Sequence, residues 1–163
     1  MSISASLVVG CDGSTTKSNS SIGISSPADR AAFLARRRTF DAIIIGGNTA
    51  RNEGYSRTPV PLVIISRSPI SPVPENDLAH LWNMPISDAI QRASKEFGTN
   101  ILIEAGASIV KELLDSNLID SFFLTVTPAS GGENLIDWQI ILKKFTYIEK
   151  SEMDGTLFFH AHN

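Results

Sequence analysis

The stretch from Phe40 to Glu53, Phe-Asp-Ala-Ile-Ile-Ile-Gly-Gly-Asn-Thr-Ala-Arg-Asn-Glu, constrains the fold most, together with Pro61 to Arg67, Pro-Leu-Val-Ile-Ile-Ser-Arg. Ala42 to Ile45 form an unbroken apolar run, as expected of a strand covered on both faces. Gly46 and Gly47 then let the backbone turn tightly and approach a ligand. Behind them the amides of Asn48, Thr49 and Ala50 open a helix, an end that favours an anion. The second strand ends in a hydroxyl, Ser66, and a guanidinium, Arg67. Paired donors of that kind suit a phosphate monoester, here the 2′-phosphate of NADPH.

Strand and helix patterns alternate along the whole chain, which predicts an α/β layer structure with a mainly parallel sheet. Ile3 to Val9 reads as the first strand, and Asp12 to Ser21 as a long polar loop. Ser26-Pro27-Ala28-Asp29 is a helix start, with Ser at the N-cap and Pro at the first helical position, and the helix should reach Arg38. Three prolines between Ser68 and Asp77 mark a surface loop. Apolar residues at 86, 89, 90, 93 and 97 form a helical stripe stopped by Gly98. Asn100 to Glu104 is a further buried strand. Gly106 opens a helix to Asp115, and Ile119 to Thr127 is the strand after it. Phe145 to Ser151 and Thr156 to His160 flank Asp154-Gly155, a hairpin turn signal, so the sheet should end antiparallel.

A chain of 163 residues is expected to form one domain, burying roughly 70% of the surface its unfolded form exposes. The single cysteine, Cys11, excludes an intramolecular disulfide and a multi-cysteine zinc site, so a reducing, cytoplasmic setting is expected. No membrane span or leader is expected. A net charge of −3 gives no general field for nucleic acid. Arg36-Arg37-Arg38 are a local basic knot, read either as a solvated helix end or as a phosphate grip. The three histidines, His80, His160 and His162, show no ligand spacing and read as surface residues, so no metal site is expected.

Two strand ends, Ile45-Gly46-Gly47 and Ile103-Glu104-Ala105-Gly106-Ala107, thus carry glycine turns into helices. Ligands in open α/β sheets lie beyond the carboxyl ends of the strands, so both turns would grip one extended cofactor. Neither turn has the G-x-G-x-x-G or P-loop spacing.

These landmarks resemble a known family. Asp12-Gly13, Ser25-Ser26-Pro27, Asp41 to Thr49, Ile64-Ile65-Ser66, Glu104-Ala105-Gly106, Leu118-Ile119-Asp120 and Pro128 to Gly132 are similar to the reductase domain of the riboflavin-biosynthesis deaminase/reductase. That domain lies within the dihydrofolate-reductase-like superfamily. The resemblance implies a three-layer α/β fold, a homodimer, and NADPH-dependent reduction of 5-amino-6-(5-phosphoribosylamino)uracil, with hydride reaching C1′ of the opened sugar. By the same resemblance Thr49, Glu53, Ser66 and the Gly106, Ala107, Ser108 backbone would contact NADPH, beside Gly46, Gly47 and Arg67. Ser21, Arg37 and Glu104 would contact the phosphorylated pyrimidine.

Each of these residues also has a plainer role open to it. Glu104 would accept substrate hydroxyls or cap nearby amides, and Thr49 would meet a pyrophosphate or cap its helix. Asp12 is a candidate acid beside Glu104, or only a turn residue. Past Glu53 the family's Asp-Pro and Leu-Thr-x-Arg give way to Gly54-Tyr55-Ser56-Arg57-Thr58-Pro59, with Arg57 out of register but still a candidate phosphate contact. The deaminase half has no counterpart here, since the chain lacks H-x-E and C-x-x-C. A second enzyme reading is dihydrofolate or pterin reduction, because Asp29 falls where dihydrofolate reductase places its pteridine-binding carboxylate. A third is a noncatalytic NADPH-binding protein.

Overall fold

The apolar runs pair side by side in one sheet, and their alternation decides which helix covers which face. The structure is a computed structural model that describes residues 1–104 and 106–163. It orders eight strands as β4-β3-β2-β5-β1-β6-β8-β7. These are β1 (Ser2–Gly10), β2 (Ala42–Gly46), β3 (Leu62–Ile65), β4 (Ala79–Trp82), β5 (Asn100–Ile103), β6 (Ser121–Thr127), β7 (Tyr147–Met153) and β8 (Thr156–His162). From β4 to β6 all neighbours are parallel, and β8 and β7 then add antiparallel. The hairpin turns at Asp154 (φ 51°) and Gly155 (φ 79°), the two positive values a type I′ turn needs.

Within β2, Ala42 and Ile44 face one core with Ile101, Ile103, Ala89 and Leu113, whereas Ile43 and Ile45 face another with Leu62, Ile64, Phe40 and Tyr55. The first core lies under α3 (Ile86–Glu96) and α4 (Ala107–Asp115). The second is closed by Phe40, just past α1 (Pro27–Arg37), by Ala50 of α2 (Gly47–Asn52) and by Tyr55 and Val73 beyond it. Burial of each such isoleucine is worth about 1.5–3 kcal/mol, which is why four apolar residues in a row are needed here. The result is the expected three-layer α/β arrangement. Ser26 caps α1 as its sequence predicts, its Oγ accepting from Asp29 N at 3.1 Å, with Pro27 in the first turn.

Several expectations need correction. β3 stops at Ile65, so Ser66 and Arg67 lie just past the strand. β4 and the five-residue α5 (Trp138–Leu142) carry too little periodicity to be read locally; β4 exists because β3 offers it a parallel edge. His80 is half-buried, its ring 5.0 Å from that of Phe97. His160 stacks on Phe123 at 4.3 Å and lies 2.6 Å from Ser121 Oγ. The basic knot is not a solvated helix end: Arg36 donates to Ser6 Oγ at 2.8 Å, Arg37 is 3% exposed, and only Arg38 faces water. Ala105, in the second glycine turn, lies outside the described residues.

Candidate active site

Where the strands end, one cleft of about 1410 Å³ opens between the 15–26 segment, α1, the start of α2, the start of α4 and the 134–144 segment. Ordinary ligand pockets measure about 300–1,000 Å³, so this one has room for two ligands side by side. Ser21, Arg37, Thr49, Glu53, Glu104, Gly106, Ala107 and Ser108 all line it. Both glycine turns therefore reach the same space, through Asn48 and Thr49 on one side and Gly106 to Ser108 on the other.

The deepest group in the cleft is an ion pair. Arg37 Nε donates to both oxygens of Glu104 at 3.1 Å, and its Nη2 lies 3.1 Å from Oε1; the two side chains are 3% and 2% exposed. Arg37 comes from the last turn of α1 and Glu104 from the residue after β5, so the pair bolts a helix to a strand end. The guanidinium lies between the rings of Phe33 (4.2 Å) and Tyr55 (4.7 Å). Tyr55 Oη donates a further bond to Glu104 Oε1 at 3.2 Å. Burial opposes charge on all three. It pushes the Glu104 carboxyl up, against the pull of Arg37 and the Tyr55 hydroxyl, and pushes the Tyr55 phenol well up. For Arg37 the carboxylate outweighs burial, and its affinity for a proton rises further. Among the described residues the Glu104 carboxylate accepts from side chains and from no backbone amide. Oε1 carries the tyrosine bond, and among those residues Oε2 is engaged only by Arg37 Nε, which leaves Oε2 capacity for a hydroxyl.

Glu53 lines the cleft and is also bonded within the chain. Its carboxylate accepts from Ser21 N (2.7 Å), Ser21 Oγ (3.0 Å) and Ser20 Oγ (3.3 Å), tying the end of α2 to the 17–25 segment. Ser21 and Glu53, assigned from the resemblance to substrate and cofactor respectively, are bonded to each other. Thr49 sits inside the first turn of α2, whose N-cap is Gly46, so its hydroxyl is not a cap. No side chain caps α4 at Gly106, and nothing lies within 4 Å of a Cβ built there. Open space above an uncapped helix start fits the pyrophosphate of a dinucleotide.

Other predicted residues lie elsewhere. Asp12 does not line the cleft: its carboxylate accepts from Ser14 Oγ (2.6 Å), Ser14 N (3.0 Å) and Gly131 N (2.8 Å). Those bonds, the Ser14 hydroxyl first, lower its pKa to about 2, so it is ionised at neutral pH and has no proton to give. It is a turn residue. Gly13 beside it has φ +91°, and a Cβ there would sit 2.3 Å from Ile136 O. Arg57 is exposed and outside the lining. Gly46, Gly47, Ser66 and Arg67 adjoin the cleft without lining it.

Sequence reasoning missed Tyr55 as a site residue, because it stands in the segment that departs from the family pattern. Asp29 is 7% exposed, lines the cleft and accepts from Ser25 Oγ at 2.5 Å, with no cation in salt-bridge range among the described residues. Arg30 and Lys111 also line the cleft and form no ion pair among those residues, whereas Lys144 pairs with Asp115 at 2.7 Å. The described residues hold no group of three or more potential metal ligands and no helix long and apolar enough to cross a membrane.

A mixed sheet with helices on both faces and a cleft at the strand ends defines a dihydrofolate-reductase-like α/β domain. Residues 2–151 match the RibD C-terminal domain family, and the chain belongs to that family. No curated protein matches it in sequence. Its fold is similar to that of RibD from Acinetobacter baumannii, with TM-score 0.75, 19% identity, and coverage of 99% of this chain and 57% of that one. It is also similar to a pyrimidine reductase-like protein from Corynebacterium diphtheriae (TM-score 0.69, 16% identity, 99% and 91% covered). A third likeness is to the diaminohydroxyphosphoribosylaminopyrimidine deaminase/5-amino-6-(5-phosphoribosylamino)uracil reductase of Thermotoga maritima (TM-score 0.66, 14% identity, 99% and 56% covered). The chain spans little more than half the length of the two RibD-type chains.

Proposed function

We propose that this domain is a reductase that uses NADPH to reduce 5-amino-6-(5-phosphoribosylamino)uracil to its ribitylamino product. The observation that carries this reading is that Asn48 and Thr49 behind the first glycine turn, Gly106 to Ser108 at the second, and the Arg37–Glu104 pair line one cleft. NADPH, when bound, supplies the hydride. Thr49 and the uncapped first turn of α4 would hold its pyrophosphate. Glu104, whose ionised form Arg37 and Tyr55 favour against burial, would accept a hydroxyl of the opened sugar through Oε2 and so orient the acceptor carbon. Arg37 is committed to Glu104, which leaves Arg30 at the cleft wall for the substrate phosphate. Phe33 and Ile22 supply apolar wall that excludes water.

The test is NADPH oxidation by the purified chain with the phosphoribosylaminouracil and with dihydrofolate in parallel. Oxidation with the pyrimidine alone supports the reading, and oxidation with dihydrofolate alone replaces it with pterin reduction. Asp29 favours that second reading, as a buried carboxylate with no ion-pair partner among the described residues suits paired N–H donors of an aminopteridine. Binding of NADPH with neither oxidation would mark a noncatalytic binding protein. Homodimer formation is part of the same proposal. The exposed edge strand β7, with Tyr147 59% and Met153 60% exposed, offers the surface, and light scattering in solution tests it.

A further inference from the structure

Four acidic side chains line the cleft, Asp29, Glu53, Glu104 and Asp137, and three of them are engaged by the fold. Glu104 is paired with Arg37, Glu53 takes three donors from Ser20 and Ser21, and the exposed Asp137 caps α5 by accepting from Ile140 N at 3.1 Å. Asp29 differs. It is 7% exposed, and no cation lies in salt-bridge range of it among the described residues. Its Oδ2 accepts from Ser25 Oγ, whereas Oδ1 takes no bond from those residues and is not sealed inside the fold, so it is open to the cleft. The carboxylate is also held in place. Asp29 N donates to Ser26 Oγ at 3.1 Å, and Ser26 Oγ lies 2.7 Å from Thr156 Oγ1 on β8, which ties the first turn of α1 to the sheet. A carboxylate withdrawn from water with no counter-charge is costly, and the cost falls when a ligand brings a donor or a positive charge to it.

We infer that Asp29 is a catalytic residue of the proposed reduction, its open oxygen accepting from the nitrogen that joins the pyrimidine to C1′ and stabilising the positive charge that this nitrogen acquires. This rests on the pyrimidine-reductase reading above. The lone pair of that nitrogen forms the C1′=N bond as the C1′–O4′ bond breaks, O4′ takes up a proton, and the nitrogen keeps its own hydrogen as an iminium. Hydride then adds to C1′, the π pair returns to nitrogen, and a neutral secondary amine is left. Charge on nitrogen exists only between these two events. An anion fixed at that point therefore stabilises the iminium and its flanking transition states more than the ring-closed substrate or the product, which raises kcat instead of merely tightening binding. Glu104 cannot take this part, because Arg37 already offsets its charge. The two buried carboxylates of the cleft thus divide the work, Glu104 orienting a sugar hydroxyl and Asp29 facing the developing cation.

Calorimetric titration of the intact chain reads this charge recognition without cofactor or turnover. The probes are 1-amino-1-deoxyribitol 5-phosphate, whose ammonium stands where the iminium nitrogen would, and ribitol 5-phosphate, which carries a hydroxyl there. Wild type should bind the amine about tenfold or more tightly. Asp29→Asn, which keeps the shape and removes the charge, should lose that preference while changing ribitol 5-phosphate by less than about twofold. Asp29→Glu, which keeps the charge and displaces the oxygen, should fall between. In turnover of the phosphoribosylaminouracil, Asp29→Asn should lower kcat by about 100-fold and move KM by less than about threefold, with equal melting temperatures showing that the variant folds. A preference for the amine that survives in Asp29→Asn, or a loss confined to KM, overturns the inference. The wild-type comparison needs no variant: turnover of the pyrimidine with no preference for the amine overturns the role of Asp29 and leaves the reductase reading standing. Failure of wild type to oxidise NADPH with the pyrimidine removes both.

Discussion

Arg37 and Glu104, 67 residues apart in the chain, share a buried ion pair that joins the last turn of α1 to the end of β5 at the floor of the cleft. Neither charge has access to bulk water, so each depends on the other. Removing one partner leaves an uncompensated buried charge, and Arg37→Ala should destabilise the fold by about 3–5 kcal/mol. Arg37→Met combined with Glu104→Gln should recover most of that loss. Urea denaturation of the single and double variants measures it, and additive losses would mean that the pair is not coupled.

Tyr55 donates to the same carboxylate, and its bond favours the ionised form that burial opposes. In Tyr55→Phe the Glu104 carboxyl should move further up, so the acid limb of kcat/KM with the pyrimidine should shift to higher pH. Stability should fall by about 1–2 kcal/mol. A limb that stays in place would make Tyr55 a packing residue only.

Asp12 gives a pH signature of the opposite kind. Its folded pKa of about 2 lies below the ordinary 3.8, so the turn is stabilised above 3.8 and that contribution is lost as pH falls through 2. Asp12→Asn should therefore melt below wild type near neutral pH, and the gap should close in that acid window. Catalysis at neutral pH should persist wherever the variant is folded; abolished turnover in a folded variant would restore Asp12 as a catalyst.

Glu53 holds Ser20 and Ser21 through three bonds. Glu53→Ala should loosen the 17–25 segment, seen as faster amide exchange at Ser21 with little change in the core strands. If exchange there stays slow, the segment is held by its other contacts, such as the Thr16–Glu133 bridge.

The strands most directly legible in the sequence are those whose burial is complete or nearly so. Ala42 to Ile45, Leu62 to Ile65 and Ile101 to Ile103 must be covered on both faces, and no other arrangement satisfies so many adjacent apolar residues. The hairpin was legible through Asp154-Gly155, since a type I′ turn demands positive φ twice. β4 was not, because Ala79 to Trp82 has no alternation and becomes a strand only beside β3. Arg36 to Arg38 read as one knot, although the three side chains enter three different environments.

The amino-acid order alone determined the layer class, the two glycine turns and the family. Each follows from local periodicity, backbone freedom or contiguous motif, and none needs a distant partner. Only the tertiary structure decided how the charges are spent. It paired Arg37 with Glu104 and Tyr55, gave Glu53 to a serine turn and withdrew Asp12 into a loop. The physical reason is that an ionisable side chain is defined by whatever the fold places within hydrogen-bond range of it, and those partners arrive from segments that sequence spacing does not connect.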